Sequence, residues 1–120
     1  IKSGKVGDEV SVGGFRASLR GPSGEDRASA GRALRYAEKV LKGAHPPELL
    51  ILDEVCLAAH LGIVDTAEVL ALLDKLPAET DAILTGRYTP QELIERADFV
   101  NEVREVKAPP TFVSRQGIQY

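Results

Sequence analysis

The stretch Glu48-Leu49-Leu50-Ile51-Leu52-Asp53-Glu54 decides the fold, because it joins four consecutive apolar residues to two carboxylates. A short apolar run of this kind, introduced by Pro46-Pro47, is typical of a strand buried on both faces of a parallel sheet. In an open α/β sheet, ligands bind beyond the carboxyl ends of the strands. The sequence therefore predicts that Asp53 and Glu54 lie at the edge of the sheet where ligands bind.

Two interpretations of these carboxylates follow from the stretch alone. An apolar strand that ends in Asp-Glu has the form of a Walker B element, in which a carboxylate holds Mg²⁺ against nucleotide phosphates, directly or through water. Acidic residues after a strand also cap the following helix, because the helix dipole favours negative charge there. The first interpretation assigns Asp53 and Glu54 to a magnesium site, and the second assigns them to a helix N-terminus.

The composition limits the class of protein. A chain of 120 residues with 43% hydrophobic and 28% charged residues suits one domain with a modest core. Because no apolar run approaches about 18 residues and no secretory signal is visible, the sequence predicts a cytoplasmic protein without a membrane partner. The single Cys56 excludes an internal disulfide. The chain contains no methionine, so Ile1 is not an initiator residue and we expect further sequence upstream.

Charge is distributed unevenly along the chain. Residues 1–45 carry nine Lys or Arg against five Asp or Glu, whereas residues 46–120 carry six against thirteen. This asymmetry could place a cationic region near an anionic ligand such as a polyphosphate. Because basic and aromatic residues are not concentrated together, the pattern argues against nucleic acid as a partner.

Helical and strand patterns alternate along the rest of the chain. Ser23 and Asp26 have the spacing of a capping box, and Thr89 with Pro90 predicts an N-cap followed by a first-turn proline. This alternation is typical of an α/β protein with a mainly parallel sheet. In chain order, the predicted elements are a helix over 23–43, the apolar strand, a short buried helix over 55–61, a helix over 65–76, a strand over 81–85, a helix ending at 97 and an edge strand over 99–106.

Other polar residues fall at positions where they could bind ligands. The strand over 81–85 is followed by Gly86 and Arg87, and Arg87 could pair with a phosphate or with Glu54. Cys56 and His60 share a helical face, which is the geometry of some metal pairs, but helix packing explains the spacing equally well. Residues 1–24 hold six glycines and few apolar residues, so we predict a mobile loop over 1–22.

Several motifs taken together resemble the P-loop-type ATP:corrinoid adenosyltransferases, also called cob(I)alamin adenosyltransferases. Their order and spacing cover nearly the whole chain. The matching residues are Gly14-Phe15, Lys42-Gly43, Leu50-Ile51-Leu52-Asp53-Glu54-Val55, Glu68-Val69-Leu70, Ile83-Leu84-Thr85-Gly86-Arg87, Glu92-Leu93-Ile94, Ala97-Asp98, Val103-Arg104-Glu105-Val106-Lys107 and Gly117-Ile118-Gln119-Tyr120.

The resemblance implies a fold and a reaction. The fold is a three-layer, mainly parallel sheet of the P-loop NTPase type, a single domain over 1–120 whose first strand, phosphate loop and first helix are expected before Ile1. The reaction is transfer of the 5′-deoxyadenosyl group of ATP to the cobalt of a reduced corrinoid, such as cobalamin or cobinamide, with release of triphosphate. Because Co(I) is itself the nucleophile, neither a nucleophilic side chain nor a general base is expected.

The resemblance also implies roles for particular residues. Asp53 and Glu54 match the acidic pair on the Mg²⁺ side, and Phe15 matches an aromatic residue near the corrin ring. We expect Arg16, Thr85 and Arg87 to bind the substrates. The family usually has Trp two positions after the Phe, where this chain has Ala17. A reductase that supplies Co(I) is an implied partner, and a homodimer is one of the oligomeric states that the sequence leaves open.

Two other function classes compete with this one. The chain contains no G-x-x-x-x-G-K-[ST] motif, and this fact, together with Ala17, favours a non-catalytic binding or assembly module on the same scaffold. The third hypothesis is an unrelated P-loop ATPase. In it, Glu54 polarises water, and a nucleic-acid or protein partner stimulates ATP hydrolysis.

Overall fold

The computed structural model describes residues 23–111, which form an α/β unit around a small parallel sheet. The two strands pair in parallel, with Leu49 opposite Asp81 and Leu52 opposite Leu84. This arrangement confirms the predicted α/β class, while the third layer and the upstream elements stay predictions. In chain order the elements are α1 (Gly24–Leu41), β1 (Leu49–Leu52), α2 (Val55–His60), α3 (Thr66–Asp74), β2 (Asp81–Leu84) and α4 (Gln91–Arg96).

Helix α1 begins at the predicted capping box. The Ser23 hydroxyl accepts a hydrogen bond from the Asp26 N–H at 3.1 Å, and the Asp26 carboxylate accepts one from the Ser23 N–H at 2.9 Å. These two bonds satisfy donors that have no partner within the helix. The buried face of α1 is built from small and aliphatic side chains, namely Ala30, Ala33, Leu34, Ala37 and Leu41.

Strand β1 is buried on one face in the part of the chain that the structure describes. Leu50 and Leu52 are buried in the core, whereas Leu49 and Ile51 remain 48% and 46% exposed. The prediction that both faces are buried is therefore wrong for residues 23–111. The physical reason is that the described helices pack on the face of Leu50 and Leu52, which leaves the alternate side chains uncovered.

The amino ends of the strands are joined by a buried threonine. The Thr80 hydroxyl donates a hydrogen bond to the Pro47 carbonyl at 2.6 Å, and the Asp81 N–H donates to the Glu48 carbonyl at 2.9 Å. Thr80 is only 6% exposed, so this bond satisfies a buried hydroxyl and helps to set the register of the two strands.

The helices that follow each strand confirm most of the predicted boundaries. Helix α2 is buried through Val55, Cys56, Ala58 and Ala59. Helix α3 is capped by the Asp65 carboxylate, which accepts a hydrogen bond from the Ala67 N–H at 3.0 Å. Helix α4 has Pro90 rather than Thr89 at its N-cap position, so the predicted cap is displaced by one residue. Between residues 23 and 111, no helix has both the length and the apolar character needed to cross a membrane.

The edge strand predicted over 99–106 is wrong. These residues form no strand or helix and are exposed throughout, with Phe99 87%, Val103 95% and Val106 94% accessible. Alternation of apolar and polar residues indicates which side chains share a face, but a strand also needs a partner for its backbone hydrogen bonds. The described residues provide no such partner for this segment.

A charge cluster joins α1 to the end of α3. The Glu38 carboxylate accepts hydrogen bonds from Lys42 Nζ at 2.7 Å and Lys75 Nζ at 2.8 Å. The hydrogen bond from Lys42 and then that from Lys75 lower the pKa of Glu38 from 4.5 to about 2. The stabilisation is therefore complete above the ordinary pKa of 4.5 and is lost as the pH falls toward 2.

We expect Glu38→Gln to lower the urea midpoint at neutral pH by a small amount, because exposed ion pairs contribute little and salt screens them. The difference from the wild type should shrink as the pH falls from about 4.5 to about 2, where Glu38 becomes protonated. Urea unfolding of both proteins at several pH values measures this. The control is Glu79→Gln, which replaces another exposed glutamate. An equal effect of the two substitutions on the urea midpoint at every pH would contradict the prediction.

Candidate active site

Thr85 joins the two strands at their carboxyl ends. Its N–H donates to the Leu52 carbonyl at 3.2 Å, and its carbonyl accepts from the Cys56 N–H at 3.1 Å. Its hydroxyl accepts from the Glu54 N–H at 3.0 Å and donates to Asp53 Oδ1 at 2.9 Å. Thr85 therefore contacts four residues between the end of β1 and the start of α2, and it fixes one oxygen of the Asp53 carboxylate.

Glu54 occupies an unusual backbone conformation within that turn. Its φ of 60° and ψ of 15° place it in the left-handed region, which costs a non-glycine residue about 1–2 kcal/mol. Glu54 stands at the N-cap position of α2, but its side chain makes no capping hydrogen bond. The helix-capping interpretation is therefore wrong for the Glu54 side chain, and strained residues of this kind cluster at functional sites.

Gly86 brings the loop after β2 against the start of α2. Its φ is 139°, and a Cβ added there would lie 2.8 Å from the Leu57 nitrogen and 2.9 Å from the Cys56 Cβ. Real Cβ atoms do not approach other heavy atoms this closely. Only glycine fits this position, and the close approach keeps Thr85 beside Asp53 and Glu54.

The donor set at this edge fits a magnesium ion that also binds substrate oxygens. Asp53 is exposed and Glu54 is half-buried, so both carboxylates can reach a ligand. Among the described residues, no group of three or more His, Cys, Asp and Glu side chains could hold a metal. Mg²⁺ does not need such a group, because it is usually held by one or two carboxylates together with water and substrate phosphates.

The loop beyond Gly86 carries an exposed cation and an exposed aromatic residue. Arg87 is exposed, and within residues 23–111 it forms no ion pair with Glu54, so the predicted pairing is absent there. Tyr88 has a φ of 55° and is 68% exposed, and its ring centroid lies 5.1 Å from that of His60. This contact is not visible in the sequence, because the ring of Tyr88 meets a residue of α2, which is distant along the chain.

The structure does not support a metal pair at Cys56 and His60. Cys56 is buried at the start of α2, whereas His60 is exposed and its ring lies tilted against that of Tyr88. Helix packing therefore explains the position of Cys56.

A groove of about 480 Å³ lies between α1 and α3 and is lined in part by Arg27, Glu38 and Lys75. It shares no residue with the edge formed by Asp53 and Thr85.

The remaining predicted site residues cannot be placed relative to this edge. Phe15 and Arg16 lie outside the described residues, as does the loop predicted over 1–22. Asp53, Glu54 and Thr85 lie together at the carboxyl ends of β1 and β2, and the direct contact of Thr85 with Asp53 was not predicted from the sequence. The parallel register could have indicated it, since Leu52 opposite Leu84 makes Asp53 and Thr85 neighbours.

Comparison with known proteins gives a consistent result. A family model described as "ATP:corrinoid adenosyltransferase BtuR/CobO/CobP" matches residues 6–120. A corrinoid adenosyltransferase of Sinorhizobium sp. is 32% identical over 98 residues, which is 79% of this chain and 45% of that protein. A corrinoid adenosyltransferase of Escherichia coli K12 is 28% identical over 82 residues, covering 68% of this chain and 41% of that protein.

An uncharacterized protein of Nostoc sp. is 33% identical over 106 residues, which is 85% of this chain and 27% of that protein. The chain thus spans less than half the length of each of these relatives. Since the family model covers nearly the whole sequence, the chain belongs to the ATP:corrinoid adenosyltransferase BtuR/CobO/CobP family.

Proposed function

We propose that the full-length protein transfers the 5′-deoxyadenosyl group of ATP to the cobalt of a reduced corrinoid. The observation that carries this proposal is the family match over residues 6–120. The geometry at the carboxyl ends of β1 and β2 supports it, because Thr85 holds the Asp53 carboxylate and the Glu54 backbone where a ligand of an α/β sheet binds.

In this reaction the protein positions the substrates and stabilises charge, and it does not supply a nucleophile. Cobalt(I) attacks the ribose 5′ carbon, a Co–C bond forms, and the C5′–O bond breaks with its electron pair leaving on triphosphate. The cobalt is thereby oxidised formally to Co(III). The departing group gains negative charge, so the rate depends on stabilising that charge and on holding the reacting atoms in line.

Residues of this chain have distinct roles in the proposal. Asp53 and Glu54 would hold Mg²⁺, which when bound neutralises charge on the leaving triphosphate. Arg87, exposed beside the same edge, binds a phosphate oxygen. Phe15 and Arg16 contact the corrinoid or the nucleotide. A phosphate-binding loop upstream of Ile1 supplies the backbone N–H groups that the triphosphate also needs.

The direct test is adenosylation of cob(I)alamin by the full-length protein under strong reduction with ATP and Mg²⁺. We expect formation of adenosylcobalamin, followed by its absorption spectrum, together with one triphosphate for each product molecule. A protein that contains the phosphate loop but forms no adenosylcobalamin would contradict the proposal.

The alternative proposal is a non-catalytic binding or assembly module on the same scaffold. The observation that favours it is Ala17, which stands where the family usually has Trp. Calorimetric titration of the full-length protein with ATP distinguishes the two proposals. Saturable binding of ATP supports the transferase, whereas no heat of binding supports the module.

A further inference from the structure

We infer that Thr85 is a positioning residue for the Asp53 carboxylate and thereby for the metal, rather than a residue that donates a hydrogen bond to substrate. The inference rests on the proposed function, because it concerns the same site. It changes the role that the sequence suggested for Thr85, which was direct binding of substrate.

The hydrogen bonds of the Thr85 hydroxyl carry the argument. A threonine hydroxyl has one proton to donate, and this proton is directed to Asp53 Oδ1 at 2.9 Å. The Thr85 hydroxyl oxygen also accepts a hydrogen bond from the Glu54 N–H at 3.0 Å. The hydroxyl therefore has no proton left for a phosphate oxygen while these two bonds exist.

The bond from the Thr85 hydroxyl also orients the Asp53 carboxylate. With one acceptor site of Oδ1 taken by Thr85, Oδ2 is the oxygen that keeps its full acceptor capacity for a ligand. The bond from the Glu54 N–H holds the left-handed turn that presents the second carboxylate. Partners that orient a metal ligand in this way typically change metal affinity by about 10- to 100-fold when they are removed.

The chain offers a closely matched control threonine. Thr80 and Thr85 flank the same strand, β2, and each hydroxyl donates to the segment that flanks β1. The Thr80 bond goes to the Pro47 carbonyl at the amino ends of the strands, away from the two carboxylates. Replacing either threonine by valine keeps the shape of the side chain and removes the hydroxyl.

The experiment measures the Kd of ATP for the full-length protein with Mg²⁺ and again with a chelator. The ratio of the two values is the gain in ATP affinity that depends on Mg²⁺. We expect Thr85→Val to reduce this gain by about 10-fold or more. Thr85→Ser, which keeps the hydroxyl, and Thr80→Val should both leave the gain close to that of the wild type.

Thermal unfolding is recorded for every variant, and binding is measured well below the unfolding midpoint of each. The comparison of ATP affinities is therefore made between folded proteins. If Asp53→Asn removes the gain but Thr85→Val does not, the positioning role is wrong and the metal site stands. If Asp53→Asn also leaves the gain intact, or the wild type shows none, the metal site and the positioning role are both wrong. If Thr80→Val and Thr85→Val lose the Mg²⁺-dependent gain equally, Thr85 contributes only to general stability and the positioning role is wrong. Loss of the gain in Thr85→Ser, which keeps the hydroxyl, also contradicts the positioning role.

Discussion

Replacing Asp53 by Asn should lower kcat/KM for corrinoid adenosylation by the full-length protein at least about 100-fold, which corresponds to about 2.7 kcal/mol of transition-state stabilisation. The amide removes the negative charge that the proposed Mg²⁺ site needs. It keeps an oxygen that can accept the hydrogen bond from the Thr85 hydroxyl, which in the wild type is 2.9 Å long. The fold should therefore survive the substitution, and the loss should appear in activity rather than in stability.

The control for this prediction is Asp81→Asn. Asp81 is also an exposed aspartate beside the two-stranded sheet, but it begins β2, at the opposite edge from Asp53. Both variants change the net charge equally, so any effect of overall charge on substrate binding is shared. Steady-state kinetics of the two variants and circular dichroism at increasing temperature give the comparison. If Asp53→Asn and Asp81→Asn have equal activity, Asp53 is not part of the proposed Mg²⁺ site.

Replacing Gly86 by Ala should destabilise the protein by about 2–6 kcal/mol. The φ of 139° is strained for any residue with a Cβ, and the added methyl would meet the Leu57 nitrogen at 2.8 Å. A strained backbone and an overpacked contact each cost about 1–3 kcal/mol. Since a domain of this size has a total stability of about 5–15 kcal/mol, the variant loses a large fraction of it.

Two other glycines separate the contributions to this loss. Gly62 has a φ of 74° with open space around it, so Gly62→Ala tests the backbone conformation without a clash. Gly24, in the first turn of α1, has open space and no positive φ, so Gly24→Ala should be close to neutral. Urea unfolding of the three variants should therefore rank them in the order Gly24, Gly62, Gly86. A Gly86→Ala protein as stable as Gly24→Ala would contradict the close approach of the two segments.

If Gly86→Ala still folds, its activity tests how the loop supports the site. The methyl group must push the loop away from α2, and Thr85 is the adjacent residue. We therefore expect a loss of the Mg²⁺-dependent gain in ATP affinity in this variant, similar to the loss in Thr85→Val.

Local sequence determined most of the elements and most of their ends. The capping box at Ser23, the aspartate cap at Asp65 and the glycine after α2 act within a few residues along the chain, so they could be recognised without a structure. The same holds for Asp53 and Glu54, because an apolar run followed by two acids places the acids at the end of a strand. Family membership likewise followed from motifs in their order along the chain.

The tertiary structure decided what those elements contact. Three features depend on packing and on pairing partners, which the periodicity of the sequence does not reveal. They are the burial of one face of β1, the absence of a strand over 99–106 and the position of Pro90 at the N-cap of α4. The hydroxyl of Thr85 meets Asp53 across 32 positions of sequence, and Gly86 meets α2 across a similar separation. Sequence patterns report the environment of a residue through its near neighbours. Contacts between distant segments depend on strand register and packing, and only the folded chain fixes both.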